Sequence, residues 1–255
     1  MRTVTDQMGR QVEVPLNPKR IISLVPSQTE LLYDLGLNEE IVGQTLFCIH
    51  PKEMHETKQR VGGTKKLKID KIKALNPDLI IGNKEENVKE QIDELEAEFP
   101  VWMSDVKTID DAFWMMKQIG ELAGKNNEAI QLVVDIKLAF ETIPKANKSA
   151  IYLIWQKPFM AAGCDTFIHE IMQKAGIQNL ATTIRYPELT VTEIKTLIPD
   201  LLLLSSEPFP FAEKHIFELQ PHFPNSKLML VDGEMFSWYG SRMLSAAKYL
   251  HSLKL

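Results

Sequence analysis

The chain has 255 residues, of which 44% are hydrophobic and 25% are charged, a composition typical of globular proteins with one large core or two small ones. A net charge of −5 without a long Lys/Arg run argues against nucleic-acid binding. No apolar run approaches the roughly 20 residues that span a bilayer, and the first residues carry no apolar signal segment. We therefore expect either a cytoplasmic protein or a cell-envelope protein whose export signal has been removed.

The first half of the chain predicts alternating strands and helices. It opens with a hairpin that turns at Gly9, and RIISLV follows as a short apolar run suited to a buried parallel strand. The residues SQTE have capping-box spacing and predict the start of a helix that ends before Gly36. IVGQT, DLIIG and PVWM predict three further strands, and IDKIKAL predicts a short helix. We expect Asn83 to cap the next helix, which would place Glu85 and Glu86 in its first turn.

A long helical region follows and breaks at Gly124. Its second part, from about Asn127 to Ile143, would be roughly 25 Å long at 1.5 Å per residue. After Pro144 the strand–helix alternation resumes with AIYLIW, TFIHEIMQKAG, TVTEIKTLI, DLLLLS and KLMLV, and SRMLSAAKYLHSL predicts a closing helix. Alternation of this kind predicts parallel sheets covered by helices.

Two segments of the sequence are nearly repeated. IDKIKALNPDLII at residues 69–81 and VTEIKTLIPDLLL at residues 191–203 lie 122 residues apart and agree at six of thirteen positions. That spacing is too long for a solenoid repeat and is close to the size of a small domain. We therefore predict an α/β fold with two lobes: an N-terminal lobe at 1–125, a bridging helix at 126–146 and a C-terminal lobe at 147–255.

Three longer patterns carry a resemblance to a known family. They are VTDQMGRQVEVPLNPKRIISLVPSQTELLYDLG, VGGTKKLKIDKIKALNPDLIIG with its echo VTEIKTLIPDLLLLSS, and PFMAAG. Over nearly its whole length the sequence resembles the helical-backbone class of ABC-importer substrate-binding proteins, which capture iron siderophores, haem and cobalamin. The resemblance implies two Rossmann-like lobes with parallel sheets, a single long bridging helix, a ligand held in the cleft between the lobes, and no catalysis.

The resemblance also implies a role and partners. The chain would be the substrate-binding component of an ABC importer that captures a metal chelate, with cobalamin first and haem or a ferric siderophore next. It would deliver the chelate to a permease dimer at the membrane, act as a monomer and hold no intrinsic cofactor. A cytoplasmic binder of tetrapyrroles or metal chelates on the same fold is the alternative. Cobalamin-binding members carry tryptophans where this chain has Thr64 and Asn83, so the ligand's identity does not follow from the resemblance.

Candidate ligand-binding residues follow the ends of the predicted strands, because parallel α/β sheets bind ligands at the carboxyl ends of their strands. The aromatic side chains among them offer flat faces that suit a corrin or haem. The nine candidates are Phe47, His50, Glu85, Trp155, Phe159, Glu207, Trp238, Tyr239 and Arg242.

Several of these residues also have a simpler interpretation. His50 lacks a third strong ligand at a recognisable spacing, so we predict no metal site. Glu85 could contact a cationic ligand or stabilise a helix start. Glu207 could line a pocket or make a turn. Arg242 could face an anionic ligand group or lie on the surface. Any single aromatic residue could belong to the core, although four core residues on surface loops would be unusual.

The resemblance further implies one acidic residue in each lobe that docks on the permease. Asp70 matches the first position. At the second position Thr192 aligns with Asp70, and Glu193 is the nearest carboxylate. Capping of the short helices would explain both acids without a partner.

No enzyme motif is present in the sequence. Nucleophile-elbow, zinc-protease and phosphate-loop patterns are all missing, so we do not expect catalysis. Cys48 and Cys164 lie in different halves, outside any C-x-x-C pattern, and we expect both to be reduced.

Overall fold

The computed structural model describes residues 1–253 and divides into two compact units. Unit 1 comprises residues 1–106, 110–135 and 239–242, and unit 2 comprises residues 107–109, 136–238 and those from 243 onward. The division falls inside a long helix at Asn126–Glu141, within the range predicted for the bridging helix. The predicted domain bounds themselves remain a prediction. In the described part of the chain, no helix combines the length and the apolar character needed to cross a bilayer.

Unit 1 contains the amino-terminal hairpin, a parallel sheet and a small second hairpin. Its strands are β1 (Arg2–Thr5), β2 (Gln11–Val14), β3 (Ile21–Ser23), β4 (Ile41–Gln44), β5 (Gln59–Arg60), β6 (Gly62–Gly63), β7 (Lys66–Leu67), β8 (Leu79–Asn83) and β9 (Val101–Ser104). The helices in this part of the chain are α1 (Pro26–Asp34), α2 (Lys52–Thr57), α3 (Ile69–Leu75), α4 (Lys89–Glu96), α5 (Ile109–Leu122) and α6 (Asn126–Glu141).

The main sheet of unit 1 has the order β5-β4-β3-β8-β9, and all its strand pairs are parallel. Its central strands are fully buried, as the apolar runs predict, since helices on both sides exclude water from a parallel sheet. Two antiparallel pairs, β1 with β2 and β6 with β7, lie outside this sheet. The hairpin turn at Gly9 is confirmed by a φ of 77°.

Unit 2 has a mixed sheet. Its strands are β10 (Lys148–Trp155), β11 (Phe159–Ala161), β12 (Ile177–Asn179), β13 (Glu188–Leu189), β14 (Leu201–Ser205) and β15 (Lys227–Val231). Its helices are α7 (Phe167–Lys174), α8 (Val191–Leu197), α9 (Glu213–Leu219), α10 (Glu234–Ser237) and α11 (Arg242–Ser252), and a 3₁₀ turn covers Gln220–His222.

The strand order in unit 2 is β13-β11-β10-β14-β15, with β12 also on β10. β12, β14 and β15 pair in parallel as predicted. β11 and β13 are antiparallel, which corrects the prediction of an all-parallel sheet in this half. The eight residues of β10 accommodate both kinds of partner. Its first residues pair with β12, and its last residues, up to Trp155, pair with β11.

The repeated sequence produces a repeated structure. α8 begins and ends 122 residues after α3, and β14 begins and ends 122 residues after β8. Each short helix buries one isoleucine, Ile72 in α3 and Ile194 in α8. The C-caps also correspond, since Asn76 and Ile198 both have left-handed backbones, with φ of 43° and 49°.

The aspartate of each Pro-Asp pair has the same structural task. The Asp78 carboxylate accepts the backbone N–H groups of Lys19 at 2.7 Å and Arg20 at 2.8 Å, just before β3. The Asp200 carboxylate accepts the N–H and the hydroxyl of Ser149, both at 2.8 Å, at the start of β10. In both units, therefore, the aspartate directly before one strand is hydrogen-bonded to the beginning of the adjacent parallel strand.

The left-handed Ile198 predicts a stabilising substitution. A left-handed backbone costs an L-residue with a Cβ about 1–2 kcal/mol, which Asn and Gly largely avoid. Ile198 is 76% exposed, so its side chain contributes little burial in return. We expect Ile198→Asn to raise the free energy of unfolding by about 1 kcal/mol in urea denaturation. Ile198→Ala is the control, because it removes the apolar side chain and keeps the Cβ. Equal stability of both variants would contradict the explanation.

Two predicted helix starts differ from the structure. α1 begins at Pro26, with Val25 as its N-cap and no side-chain cap, so the SQTE capping box is not formed. α4 begins only at Lys89. The Asn83 carboxamide oxygen instead accepts the backbone N–H groups of Glu85 at 2.8 Å and Glu86 at 3.1 Å, which makes a tight turn. Glu85 and Glu86 therefore belong to this turn and not to the first turn of a helix.

Candidate ligand-binding site

The loop after β14 in unit 2 holds Glu207 in a fixed position. The Ser205 hydroxyl donates to the Glu207 carbonyl oxygen at 2.6 Å and accepts the Glu207 N–H at 3.3 Å. The buried Tyr152 hydroxyl donates to the same serine oxygen at 3.1 Å. Gly233 lies so close that a Cβ there would come within 2.5 Å of the Glu207 Cγ. The backbone and the first side-chain atoms of Glu207 are thus confined by their neighbours.

The Glu207 carboxylate accepts hydrogen bonds from two residues that follow β15. The Ser237 hydroxyl donates to its Oε1 atom at 2.7 Å, and the Trp238 indole Nε1 donates to the same atom at 3.0 Å. Two residues predicted for the site, Glu207 and Trp238, are therefore in direct contact. Trp238 is half-buried, so part of its ring faces solvent.

Trp155 lies at the carboxyl end of β10 and is 40% exposed. Its ring meets the edge of Phe209, two residues after Glu207, at 5.6 Å between centroids. Phe209 packs in turn on Phe211 at 4.8 Å and on the buried His215 at 5.3 Å. Trp155 thus packs on an aromatic cluster and remains partly accessible to solvent. Sequence reasoning missed Phe209, although the two prolines that flank it indicate a stiff loop.

Phe159 is also near the end of β10, but it has a different environment. It is half-buried on β11, pairs with Leu189 of β13 and packs against the hydrophobic core of unit 2. Its predicted contact with a ligand therefore stays a prediction, and its packing already explains its apolar character.

Burial raises the pKa of the Glu207 carboxyl above its ordinary value of 4.5, and the nearby carboxylates of Glu234 and Asp232 act in the same direction. The hydrogen bonds from Ser237 and Trp238 oppose the shift without cancelling it. The folded protein therefore favours the neutral acid relative to the unfolded chain.

This shift predicts how stability depends on pH. Stability that comes from a neutral Glu207 is fully present below the unfolded pKa and is lost as the pH rises through the higher folded pKa. Glu207→Gln keeps an oxygen acceptor and carries no charge. We expect it to raise the melting temperature at neutral pH and to differ little from wild type below pH 4.5, the ordinary Glu value. Thermal unfolding of both proteins across this pH range tests it, and a variant no more stable than wild type at neutral pH would contradict it.

In unit 1, Phe47 and Glu85 lie beside the β6–β7 hairpin. The Phe47 side chain is 58% exposed, and its ring covers Gly63, where an added Cβ would come within 3.2 Å of a ring carbon. Lys65 in the turn of the hairpin donates its ammonium to the Glu85 carbonyl oxygen. His50 is half-buried in the loop after β4. Phe47 therefore offers an aromatic face to solvent, whereas the Glu85 and His50 side chains are only partly accessible.

Tyr239 is assigned to unit 1 and is only 8% exposed. Burial raises the pKa of its hydroxyl. Gly240 follows with a φ of 97°, and an added Cβ at Gly240 would come within 3.2 Å of the Ser27 carbonyl oxygen. Tyr239 thus packs inside unit 1, and its predicted contact with the ligand remains a prediction without support from exposure.

Arg242 forms a two-pronged ion pair with Glu30 of α1, with distances of 2.8 Å from Nε to Oε2 and 2.6 Å from the terminal nitrogen to Oε1. Both side chains are largely buried, at 10% and 17% exposure. Burial raises the pKa of Glu30, and the Arg242 guanidinium opposes that shift. The cation, for which the sequence left open an anionic ligand group or a surface position, thus has a carboxylate partner 212 residues away within the protein.

Thr64 and Asn83, the positions at which cobalamin-binding members carry tryptophan, are both buried in unit 1. The Asn83 amide nitrogen donates to the Ser104 hydroxyl at 3.0 Å, in addition to the turn that its oxygen makes. Asn83 therefore has a structural task at the end of β8, and a large ring at this place would need a different local structure.

Sequence comparison places these features in a family. Residues 21–220 match the family model described as periplasmic binding protein. The chain belongs to the periplasmic binding protein family. Curated relatives include an uncharacterized ABC transporter substrate-binding lipoprotein of Bacillus subtilis, YvrC, which is 28% identical over 79% of this chain and 68% of its own length. The vitamin B12-binding protein of Pectobacterium carotovorum is 24% identical over 92% of this chain and 88% of its own length.

Solved structures of periplasmic binding proteins have the same fold. The periplasmic haem-binding protein HutB of Vibrio cholerae superposes with a TM-score of 0.78 and 21% identity, covering 91% of this chain and 97% of the other. The siderophore-binding protein BauB, bound to ferric iron and two acinetobactin molecules, gives a TM-score of 0.80 at 17% identity and covers 100% and 99% of the two chains. At these identities the likeness concerns the fold.

The two acids predicted to dock this periplasmic binding protein on a permease are both exposed but differ in their contacts. Asp70 is in the first turn of α3, and within residues 1–253 its carboxylate makes no hydrogen bond or ion pair. Glu193 completes a capping box with Thr190, whose N–H and hydroxyl both donate to its carboxylate at 2.7 Å. The backbone N–H of Thr190 holds the pKa of Glu193 below its ordinary value.

The described part of the chain contains no group of three or more His, Cys, Asp or Glu side chains placed to hold a metal ion. Both cysteines are free, with Cys48 buried and Cys164 exposed. Besides Phe209, sequence reasoning missed Ser237 and Gly233, which fix Glu207. Gly233 is the N-cap of α10 and has an ordinary φ of −61°. Its lack of a side chain lets Glu207 approach closely, and no turn pattern in the sequence indicates such a role.

Proposed function

We propose that this periplasmic binding protein is the substrate-binding component of an ABC importer and that it captures a metal chelate: cobalamin, haem or a ferric siderophore. The observation that carries the proposal is the arrangement after β10 and β14 in unit 2. Trp155 presents an aromatic face, and Glu207 with Trp238 presents polar groups beside it. Flat aromatic faces with a few fixed polar groups are what a large planar ligand needs.

Unit 1 has its own proposed ligand-binding residues. Phe47 offers a second exposed ring, and His50 and Glu85 lie in loops that follow the carboxyl ends of β4 and β8. Phe159, Tyr239 and Arg242 are proposed as supporting residues. Arg242 and Tyr239 pack inside unit 1, and Phe159 packs on the core of unit 2, so each would support the loops of its own unit.

The proposal includes no catalytic step. The curated relatives are named as binding proteins, and one of them is named as a component of an ABC transporter. Delivery to a permease dimer would use Asp70 and Glu193, one carboxylate on each unit. The relatives that bind vitamin B12, haem and siderophores support the ligand class, and none of them fixes the individual ligand.

Direct incubation tests the proposal. The purified protein is mixed separately with cobalamin, haem and a ferric siderophore, desalted, and scanned for the absorbance of each chelate. We expect one of the three to stay with the protein at about one equivalent per chain. A protein that emerges colourless from all three mixtures would contradict the proposed function.

A further inference from the structure

We infer that Glu207 is a fixed hydrogen-bond acceptor for the ligand, and that the chelate therefore presents amide, hydroxyl or ammonium donors at its edge. This inference rests on the proposed function and names the chemical class of its ligand. Among the proposed ligands it separates chelates with donor groups at the edge from chelates whose edge carries carboxylates.

The first step of the argument is the geometry of the Glu207 carboxylate. Ser237 and Trp238 both donate to Oε1, and in the described part of the chain no hydrogen bond reaches Oε2. A carboxylate accepts hydrogen bonds on both of its oxygens. Because Ser205 and Gly233 confine the rest of the residue, Oε2 has a fixed place and a free accepting capacity. Such preorganisation favours a ligand donor, since no side-chain freedom remains to be lost on binding.

The second step is the charge around this carboxylate. Glu207 has no ion pair within residues 1–253, and the neighbouring charges that act on it, Glu234 and Asp232, are both negative. Lys157, exposed in the turn after Trp155, forms no ion pair with it. A partly desolvated carboxylate without a cation is costly, and a donor on the ligand would reduce that cost. A ligand carboxylate at the same place would instead meet three negative groups.

The third step is the position of the acceptor relative to the aromatic face. Phe209 follows Glu207 by two residues and its ring packs on Trp155 at the end of β10, so the loop that carries the acceptor also contacts the aromatic ring. A ring system that lies on Trp155 would bring the groups on its edge toward this loop. The arrangement therefore suits a flat chelate with donors at its perimeter.

The experiment uses matched pairs of chelates that differ only at the perimeter. One pair is cobinamide, which carries amides, and cobyrinic acid, which carries carboxylates in their place. The other pair is haem diamide and haem. Dissociation constants are measured by titration for wild type, for Glu207→Gln and for Glu213→Gln, a control that removes an exposed carboxylate at the start of α9 in the same unit. Thermal unfolding and near-ultraviolet circular dichroism confirm that each variant is folded.

We expect wild type to bind the amide member of a pair at least about tenfold more tightly than the carboxylate member. We expect Glu207→Gln to lose most of this preference and Glu213→Gln to keep it. A wild-type preference for the carboxylate member, or an amide preference that survives in Glu207→Gln, would overturn the inference and leave the proposed function intact. If no chelate of either pair, and neither intact cobalamin nor a ferric siderophore, binds wild type, the proposed function fails and the inference fails with it. If Glu207→Gln does not fold, a wild-type preference for the carboxylate member still overturns the inference.

Discussion

Replacing Asp70 and Glu193 together by lysine is expected to abolish uptake of the bound chelate through the cognate permease. Each carboxylate is exposed on a short helix of a different unit, where a basic surface of a membrane partner could reach it. Exposed charges of this kind contribute mainly to encounter rate and to the register of a complex. Two charge reversals would therefore turn attraction into repulsion at two points. Uptake into vesicles with the reconstituted permease measures the effect.

The structure supplies controls for this experiment, because Glu193 also caps a helix. Glu193→Lys breaks the capping box with Thr190 and is expected to lower the stability in its own right. Glu193→Gln retains a capping-box residue and removes only the charge. The double variant Asp70→Asn with Glu193→Gln therefore isolates the electrostatic part and should lower uptake with no loss of stability. Ligand affinity should stay unchanged in both double variants. Unimpaired uptake with the two lysines would reject the docking role.

Truncating either tryptophan of unit 2 is expected to weaken ligand binding by about 1–3 kcal/mol, or roughly 5- to 150-fold in dissociation constant. Trp155 would lose its exposed face toward the ligand, and Trp238 would lose both its ring and the hydrogen bond that it donates to Glu207. Little stability should be lost at Trp155, since 40% of this residue is already exposed. Titration of Trp155→Ala and Trp238→Ala with the chelate identified by incubation tests this.

Two further variants separate the possible causes. Trp238→Phe keeps an aromatic ring but lacks the Nε1 donor, so a loss of affinity as large as that of Trp238→Ala would point to the hydrogen bond. Trp114 on α5 has the same exposed fraction as Trp155, 40%, and stacks on Trp102 within unit 1. Trp114→Ala should therefore leave affinity unchanged. Normal binding by both alanine variants at positions 155 and 238 would show that these tryptophans do not contact the ligand, and unfolding of both would show that they are core residues.

Much of the fold could be predicted from local patterns. The apolar runs at Arg20–Val25 and Asp200–Ser205 lie in buried parallel strands, because such runs leave no polar face for water. The repeat of 122 residues correctly indicated two similar units, since helix, cap and strand recur at matching positions. The antiparallel strands β11 and β13 were missed. They are only three and two residues long and are too short to show a period.

The site was less predictable, for physical reasons that differ between residues. Arg242 was placed correctly in a first helical turn, but its partner Glu30 lies 212 residues away, and no spacing rule reaches that far. Asn83 was expected to cap a helix, and it caps a turn instead, because an Asn side chain satisfies either kind of exposed N–H group. Glu207 and Trp238 were named individually. The hydrogen bond that Trp238 donates to Glu207 depends on how the loops after β14 and β15 fold, which the sequence did not predict.

The paired aspartates Asp78 and Asp200 have a consequence for how the strands align. In an antiparallel hairpin the turn fixes which residues face each other, but parallel strands are joined by long connections that impose no such alignment. Here a carboxylate at the start of one strand holds the first residues of its neighbour, Arg20 in one unit and Ser149 in the other. A slip by one residue would break these bonds and would also turn every buried side chain of the strand to the opposite face. Each aspartate thus sets the register of its parallel pair, as a tight turn does in a hairpin.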